Sequence, residues 1–80
     1  MVTIKLFGLT RETGGRDKLI VKAGTVRGAM EQAAAMGVDP KLFRRALLFV
    51  NNRQLRGAGR FAFRLQDGDE LALLSPVGGG

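Results

Sequence analysis

The chain has 80 residues and a formal net charge of +6, from 13 Lys and Arg against 7 Asp and Glu. This length predicts one small domain of modest stability, because such a chain buries only about 60% of its unfolded surface. Cys and His are both absent, which excludes disulfides, thiolate- or imidazole-bound metals and the usual nucleophile–base pairs of an independent enzyme.

Hydropathy gives no sign of a membrane protein. No apolar run approaches the ~18 residues of a membrane span, and no signal-peptide pattern opens the chain. We therefore expect a cytoplasmic protein with no membrane partner.

The first 22 residues predict a β-hairpin. Apolar and polar residues alternate over residues 2–6, so this strand should bury its apolar side chains and carry Phe7 on its outer face. A second strand is expected over residues 17–22, with Leu19 and Val21 facing inward. The hairpin is the natural pairing of two such strands.

A helix is predicted after the hairpin. Thr25 is a suitable N-cap, and Gly37 a suitable C-terminal cap, because glycine readily takes the positive φ at that position. Between them, apolar residues follow the spacing of one buried helical stripe: Val26, Ala29, Met30 and Ala33. A loop or short helical turn is expected from there to Arg45.

The second half predicts further strands. Residues 46–50 form a continuous apolar run, as in a strand covered on both faces or a short buried strand. Within residues 53–64 two glycines favour a loop, whereas Phe61 and Phe63 favour a short edge strand. A closing strand is expected over residues 69–74. The whole pattern indicates an α+β domain, with one helix packed on a mixed sheet. If the first and last strands are parallel neighbours, Leu74 points outward beside Phe7.

The middle of the chain is strongly basic. Residues 41–66 contain seven Lys or Arg and no acidic residue. A nucleic-acid surface is one interpretation, but the segment matches no RNA- or DNA-binding motif. A solvated basic face, or a patch that meets an acidic protein partner, is favoured, and we expect no nucleic-acid partner.

The carboxyl-terminal residues predict a rigid strand followed by a tail without side-chain bulk. Asp67-Gly68 is a turn signal, and Pro76 should end strand pairing because it has no N–H. Val77 and three glycines follow. Such a tail is either a frayed terminus or a segment slim enough for a narrow channel, and we divide the chain into a domain over residues 1–74 and a flexible tail over 75–80.

Four stretches of the sequence resemble the MoaD/ThiS family of ubiquitin-like sulfur carriers, and most of all the small subunit of molybdopterin synthase. They are Ile-Lys-Leu-Phe-Gly at residues 4–8 with Arg11-Glu12, Ala-Gly-Thr-Val at 23–26, Leu-Phe-Val-Asn at 48–51, and the whole of 67–80. The last is the specific motif, although Ser75 replaces a proline that many small subunits have there. The resemblance implies a β-grasp (ubiquitin-like) fold, with a mixed sheet of four to five strands and one main helix on one face.

The resemblance also implies a carrier that binds no cofactor and is not an enzyme by itself. An E1-like adenylyltransferase (MoeB or ThiF type) would use ATP to adenylate the carboxylate of Gly80, and a sulfur donor would convert it to a thiocarboxylate. The large subunit of molybdopterin synthase (MoaE type) would then receive the sulfur for a molybdenum or tungsten pterin cofactor. A thiamin-type sulfur carrier and a ubiquitin-like modifier of lysines are the alternatives.

The resemblance assigns the site residues as well. Gly79 and Gly80 would carry the chemistry. Partner binding would involve six further residues: Phe7, Arg11, Leu74, Pro76, Val77 and Gly78.

Overall fold

The computed structural model describes residues 1–8 and 13–75. In chain order the elements are β1 (Val2–Phe7), β2 (Lys18–Val21), β3 (Gly24–Thr25), α1 (Val26–Ala35), α2 (Pro40–Arg45), β4 (Leu47–Val50), β5 (Arg53–Leu55), a 3₁₀ helix (Ala58–Ala62), β6 (Arg64–Leu65) and β7 (Glu70–Leu74).

The main sheet is mixed and has five strands in the order β2-β1-β7-β4-β5, while β3 and β6 form a separate two-stranded ribbon. The first and last strands, β1 and β7, are parallel neighbours at its centre. β2, β4 and β5 pair antiparallel with their neighbours. The predicted α+β arrangement is confirmed, and the parallel pairing meets the condition under which Leu74 was expected to point outward beside Phe7.

One apolar core lies between α1 and the sheet. The inward residues of β1 and the predicted stripe of α1 are almost completely buried, as the periods of two and of 3.6 require. Leu71 and Leu73 of β7 lie with them and have no exposed surface. The main members of the core are Val2, Ile4, Leu6, Leu19, Val21, Val26, Ala29, Met30, Ala33, Phe43, Leu48, Leu71 and Leu73.

Both ends of α1 have the predicted caps. The Thr25 hydroxyl accepts a hydrogen bond from the backbone N–H of Gly28 at 3.0 Å. At the other end Gly37 has a φ of +94°, and the next residue, Val38, donates its N–H to the carbonyl of Ala33 at 3.0 Å. This Schellman arrangement satisfies the last carbonyls of the helix, and it starts the chain toward the buried Val38.

β4 differs from its prediction. Leu48 and Val50 are buried, but Leu47 is 40% exposed and Phe49 is partly exposed. The strand therefore buries one face, not two. Its continuous apolar run supplies core residues on that face and an apolar surface on the other.

The predicted edge strand at Phe61 and Phe63 is wrong. Phe61 lies in the 3₁₀ helix and packs partly buried against the core, and Phe63 follows that helix as an exposed residue. Gly57, with a φ of +88°, makes the turn that starts the helix. The main-sheet strand of this region is β5, which has the single apolar residue Leu55 and is too short for an alternation that could have predicted it.

A network of polar groups joins the β4–β5 turn to the start of β7. The Asp69 carboxylate accepts hydrogen bonds from the Gln66 N–H at 2.8 Å and the Asn51 amide at 2.9 Å. The Asn51 side-chain oxygen in turn accepts from the Glu70 N–H at 3.0 Å. The Gln66 N–H, and then the Asn51 amide, hold the pKa of Asp69 below its ordinary value of 3.8, because both bonds favour the ionised carboxylate.

The lowered pKa of Asp69 predicts a loss of stability in acid. A folded-state pKa below the unfolded one gives stabilisation that is complete above the unfolded value and disappears as the pH falls through the folded value. Asp69→Asn should therefore unfold at a lower temperature than the wild type near neutral pH, and the difference should shrink in acid. Thermal unfolding across pH checks this, with the exposed Glu31→Gln as control; a difference independent of pH would contradict it.

Candidate functional site

Pairing with β1 fixes the position of the end of β7. The Ser75 N–H donates to the Phe7 carbonyl at 3.2 Å, so the parallel ladder extends one residue beyond Leu74. Gly8, the residue after β1, has a φ of +72°, and a Cβ built there would lie 3.4 Å from the Ser75 Cβ. The pairing of β7 with β1 therefore determines the position of Ser75, the first residue of the predicted tail.

Three apolar side chains form a row across the outer face of the sheet, beside this exit. Leu74 stands in register with Phe7 on one side and with Leu47 on the other. Phe7 is 50% exposed and Leu47 is 40% exposed, while the central Leu74 is half-buried. We call this row the apolar row. Contiguous exposed apolar surface is a feature of protein contact sites, so the apolar row is our candidate docking surface.

A second row lies one step down the same face. Ala72 stands in register with Lys5 and Phe49, and the longer side chains beside it explain why it is buried. Lys5 pairs with Glu70 at 3.3 Å. Because both partners are about 40% exposed, this ion pair contributes little stability, and its main effect is to give the apolar row a polar border.

The structure brings together two of the predicted site residues, Phe7 and Leu74, on adjacent strands. The other predicted residues lie outside the described part of the chain and stay predictions: Arg11, Pro76, Val77, Gly78, Gly79 and Gly80. The sequence did not predict two further apolar residues of this outer face, Leu47 and Phe49. The register of β4 against β7 was needed to find them, because alternation is invisible in a run that is apolar throughout.

The three acidic residues around the turn before β7, Asp67, Asp69 and Glu70, all have structural partners. Asp67 pairs with the amino terminus, Asp69 accepts the bonds described above, and Glu70 pairs with Lys5. Within residues 1–8 and 13–75, no group of three or more carboxylates is placed to hold a metal ion. Each of these carboxylates therefore has a structural partner, and Asp69 stabilises the turn before β7.

These features define the class of protein. A mixed five-stranded sheet, packed on one helix, with parallel first and last strands at its centre, is the ubiquitin-like β-grasp fold. The ThiS family model matches residues 4–80, and the chain belongs to this family of ubiquitin-like sulfur carriers. Small carriers of this type are generally non-catalytic.

Solved structures agree with this assignment. The chain is similar to a protein of the BexX/CysO complex of Amycolatopsis orientalis, with 26% identity over all of both chains and a TM-score of 0.81. It shares the fold of a chain of the complex of subunits 1 and 2 of the molybdopterin-converting factor of Helicobacter pylori, with 21% identity over 99% of this chain and 97% of that one and a TM-score of 0.66. It likewise shares the fold of small archaeal modifier protein 1 of Methanosarcina acetivorans, with 23% identity over 99% and 95% and a TM-score of 0.76.

Two further findings complete the comparison. No curated protein matches the chain in sequence. Among the described residues, no helix has both the length and the apolar character needed to cross a membrane.

Adjacent leucines in β7 test the two faces of the sheet. Leu73→Ala should lower the free energy of unfolding by about 2–5 kcal/mol, because it opens a cavity in the core. Leu74→Ala removes the same atoms from the outer face and should cost about 1 kcal/mol or less. Urea unfolding of both variants measures the difference. Equal losses would show that Leu74 is a core residue and would remove it from the docking surface.

Proposed function

We propose that the chain is a sulfur carrier that donates sulfur in molybdopterin or tungstopterin biosynthesis, as the small subunit of molybdopterin synthase. The observation that carries the proposal is the exit of the tail from β7 beside an exposed apolar row. Membership of the ThiS family and the shared fold with a molybdopterin-converting factor subunit support it.

The proposed chemistry occurs at the carboxylate of Gly80. One carboxylate oxygen attacks the α-phosphorus of ATP on an E1-like adenylyltransferase, which forms an acyl adenylate and releases pyrophosphate. Hydrosulfide (HS⁻) supplied by a sulfur donor then attacks the acyl carbon and displaces AMP, and loss of its proton leaves a thiocarboxylate. Terminal glycines suit these two reactions because they have no side chain that would block attack on the carbonyl. No cysteine in the chain can capture the activated acyl group.

The sheet supplies the binding in this proposal. Glycines offer a partner almost no side-chain surface, so the affinity must come from elsewhere on the domain. The apolar row gives an anchor of Phe and Leu side chains close to the exit, which is where a partner that accepts the tail must lie. Partners would be the adenylyltransferase first and the large synthase subunit second; both similar complexes named above consist of a carrier-like chain and a partner protein.

Mass spectrometry tests the proposed modification. The chain, produced together with its cognate adenylyltransferase and a sulfur donor, should gain the mass that separates sulfur from oxygen, at its last residue. A variant that lacks Gly80 should stay unmodified, and an adenylyltransferase without its ATP site is the control. A chain that keeps its original mass with the cognate enzyme would contradict the proposal.

Two exposed aliphatic residues test the role of the apolar row. Leu47→Ser should weaken binding to the cognate adenylyltransferase about tenfold, the loss of roughly 1.4 kcal/mol expected of an interface anchor. Ile20→Ser is the control, because Ile20 is 46% exposed and pairs with Thr3 at the far end of β1, about 13 Å from Phe7. Titration calorimetry measures both; equal effects would contradict a role confined to the row.

A ubiquitin-like modifier is the second candidate function. The shared fold with small archaeal modifier protein 1 favours it. In that case the activated glycine would form isopeptide bonds with lysines of other proteins. Conjugates that disappear when Gly80 is deleted, in cells that show no thiocarboxylate, would favour this function over sulfur transfer.

A further inference from the structure

The basic middle segment has no task in the proposed sulfur chemistry, yet the fold gathers part of it into one place. Four arginines line a concavity of about 310 Å³ at the end of α2 and the β5 edge of the sheet. We call them the arginine cluster: Arg44, Arg45, Arg56 and Arg60. They come from three elements and the residues that border them, so this concentration of charge is a product of the tertiary structure.

Arg60 holds the cluster together. Its guanidinium donates to the carbonyls of Gly57 at 2.9 Å and of Arg44 at 3.4 Å, which ties the 3₁₀ helix to the end of α2. The same group lies over the Phe61 ring, 4.5 Å from its centre. Arg60 therefore stabilises the fold through contacts within the domain.

The other three arginines face outward. Arg56 donates twice to the side-chain oxygen of Gln54, at 3.0 and 3.2 Å, while Arg44 and Arg45 are exposed at the end of α2. Within residues 1–8 and 13–75, the ion pairs are those of Asp67 and Glu70, and neither involves the cluster. Like charges held this close repel one another, so an anion that covered them would be stabilised by all of them.

The cluster is continuous with the apolar row. Leu47, the last member of that row, also lines the arginine concavity. A partner that covers Leu47 therefore meets the arginines as well. Arginine beside exposed aliphatic and aromatic side chains is the composition of a protein–protein contact.

We propose that the arginine cluster binds an acidic surface on the enzyme that activates the carboxyl terminus. This inference depends on the proposed function, and the activating enzyme is the partner that sulfur transfer and lysine modification both require. The glycine tail offers the activating enzyme almost no side-chain surface, so the domain must supply both the affinity and the orientation of binding. Opposite charge at the border of the apolar row supplies orientation and a faster association.

A nucleic acid fits the cluster less well. Single-stranded nucleic acids bind where bases can stack on exposed aromatic rings between basic groups. None of the described residues that line the concavity is aromatic, and the Phe61 ring, which Arg60 covers, is partly buried against the core. The exposed neighbour is the aliphatic Leu47, which offers no stacking surface.

The test compares two double variants of the full chain with the cognate adenylyltransferase. Arg45→Glu with Arg56→Glu reverses two charges of the cluster, and each reversal changes the net charge by −2, from +6 to +2 in total. Lys22→Glu with Arg27→Glu makes the same change elsewhere, at two exposed positions that do not line the arginine concavity. Circular dichroism confirms that both fold.

The readout is ATP–pyrophosphate exchange against carrier concentration. The cluster variant should raise KM about tenfold, the effect of losing charge pairs at the border of an interface. It should leave kcat unchanged, because such charge pairs act on binding and not on the chemical step. The control should stay within about twofold of the wild type. The wild-type advantage should shrink between about 0.1 M and 1 M salt, as the screening length falls from about 10 Å to 3 Å.

Each outcome has a distinct meaning. A cluster variant with wild-type KM, or equal losses in both variants, would overturn the acidic docking site and leave the proposed function intact. A wild-type chain that the enzyme does not activate would overturn the proposed function and this inference with it. Binding of a single-stranded oligonucleotide that only the cluster variant loses, with an unchanged KM for activation, would make the cluster a nucleic-acid surface instead.

Discussion

The parallel pairing of β1 with β7 is the constraint on which the rest of this molecule depends. It joins the two ends of the chain at the centre of the sheet, with β2 outside one strand and β4 outside the other. Leu71 and Leu73 then complete the core under α1, and Leu74 stands between Phe7 and Leu47 on the opposite face. The same ladder holds Ser75. Stability, the apolar row and the position of Ser75 thus come from one set of hydrogen bonds.

The division of the sheet into two faces explains how so small a domain can both fold and bind. One face is used entirely for the core, which a chain of this length needs because its buried area is limited. The other face keeps its large apolar side chains exposed near the tail. Exposure of Phe7 and Leu47 lowers solubility without adding to stability, and the partner contact that we propose would offset this cost.

In the docking site that we propose, the charge of the arginine cluster selects among partners in addition to the apolar row. An apolar row alone would accept many partners, because burial of apolar area has no direction. Arginines at one end of the row would favour a partner with carboxylates in the matching place and would reject a basic one. The bordering pair of Lys5 and Glu70 limits the row at its side. In this way a surface of modest area can distinguish between proteins that all accept a glycine tail.

The local features of the chain could be read from its residues. Strand and helix periods identified the inward side chains of β1 and α1, and Thr25 and Gly37 marked the ends of the helix, because caps and periodicity depend on neighbours within a few residues. The motif over 67–80 indicated the family in the same local manner. The one-sided burial of β4, the polar strand β5 and the 3₁₀ helix around Phe61 were missed. They depend on which strand lies beside which, and short polar or uniformly apolar segments carry no period that reports it.

The amino-acid sequence was thus enough to predict the fold class and the family, and it shows directly that the last three residues are glycines. It could not show that Leu47 joins Phe7 and Leu74, or that arginines as far apart as 44 and 60 meet around one concavity. Those proximities arise from pairing between strands and packing between helices, which are contacts between residues distant in the chain. Long-range contacts are the part of a structure that composition and local pattern do not encode in any one segment.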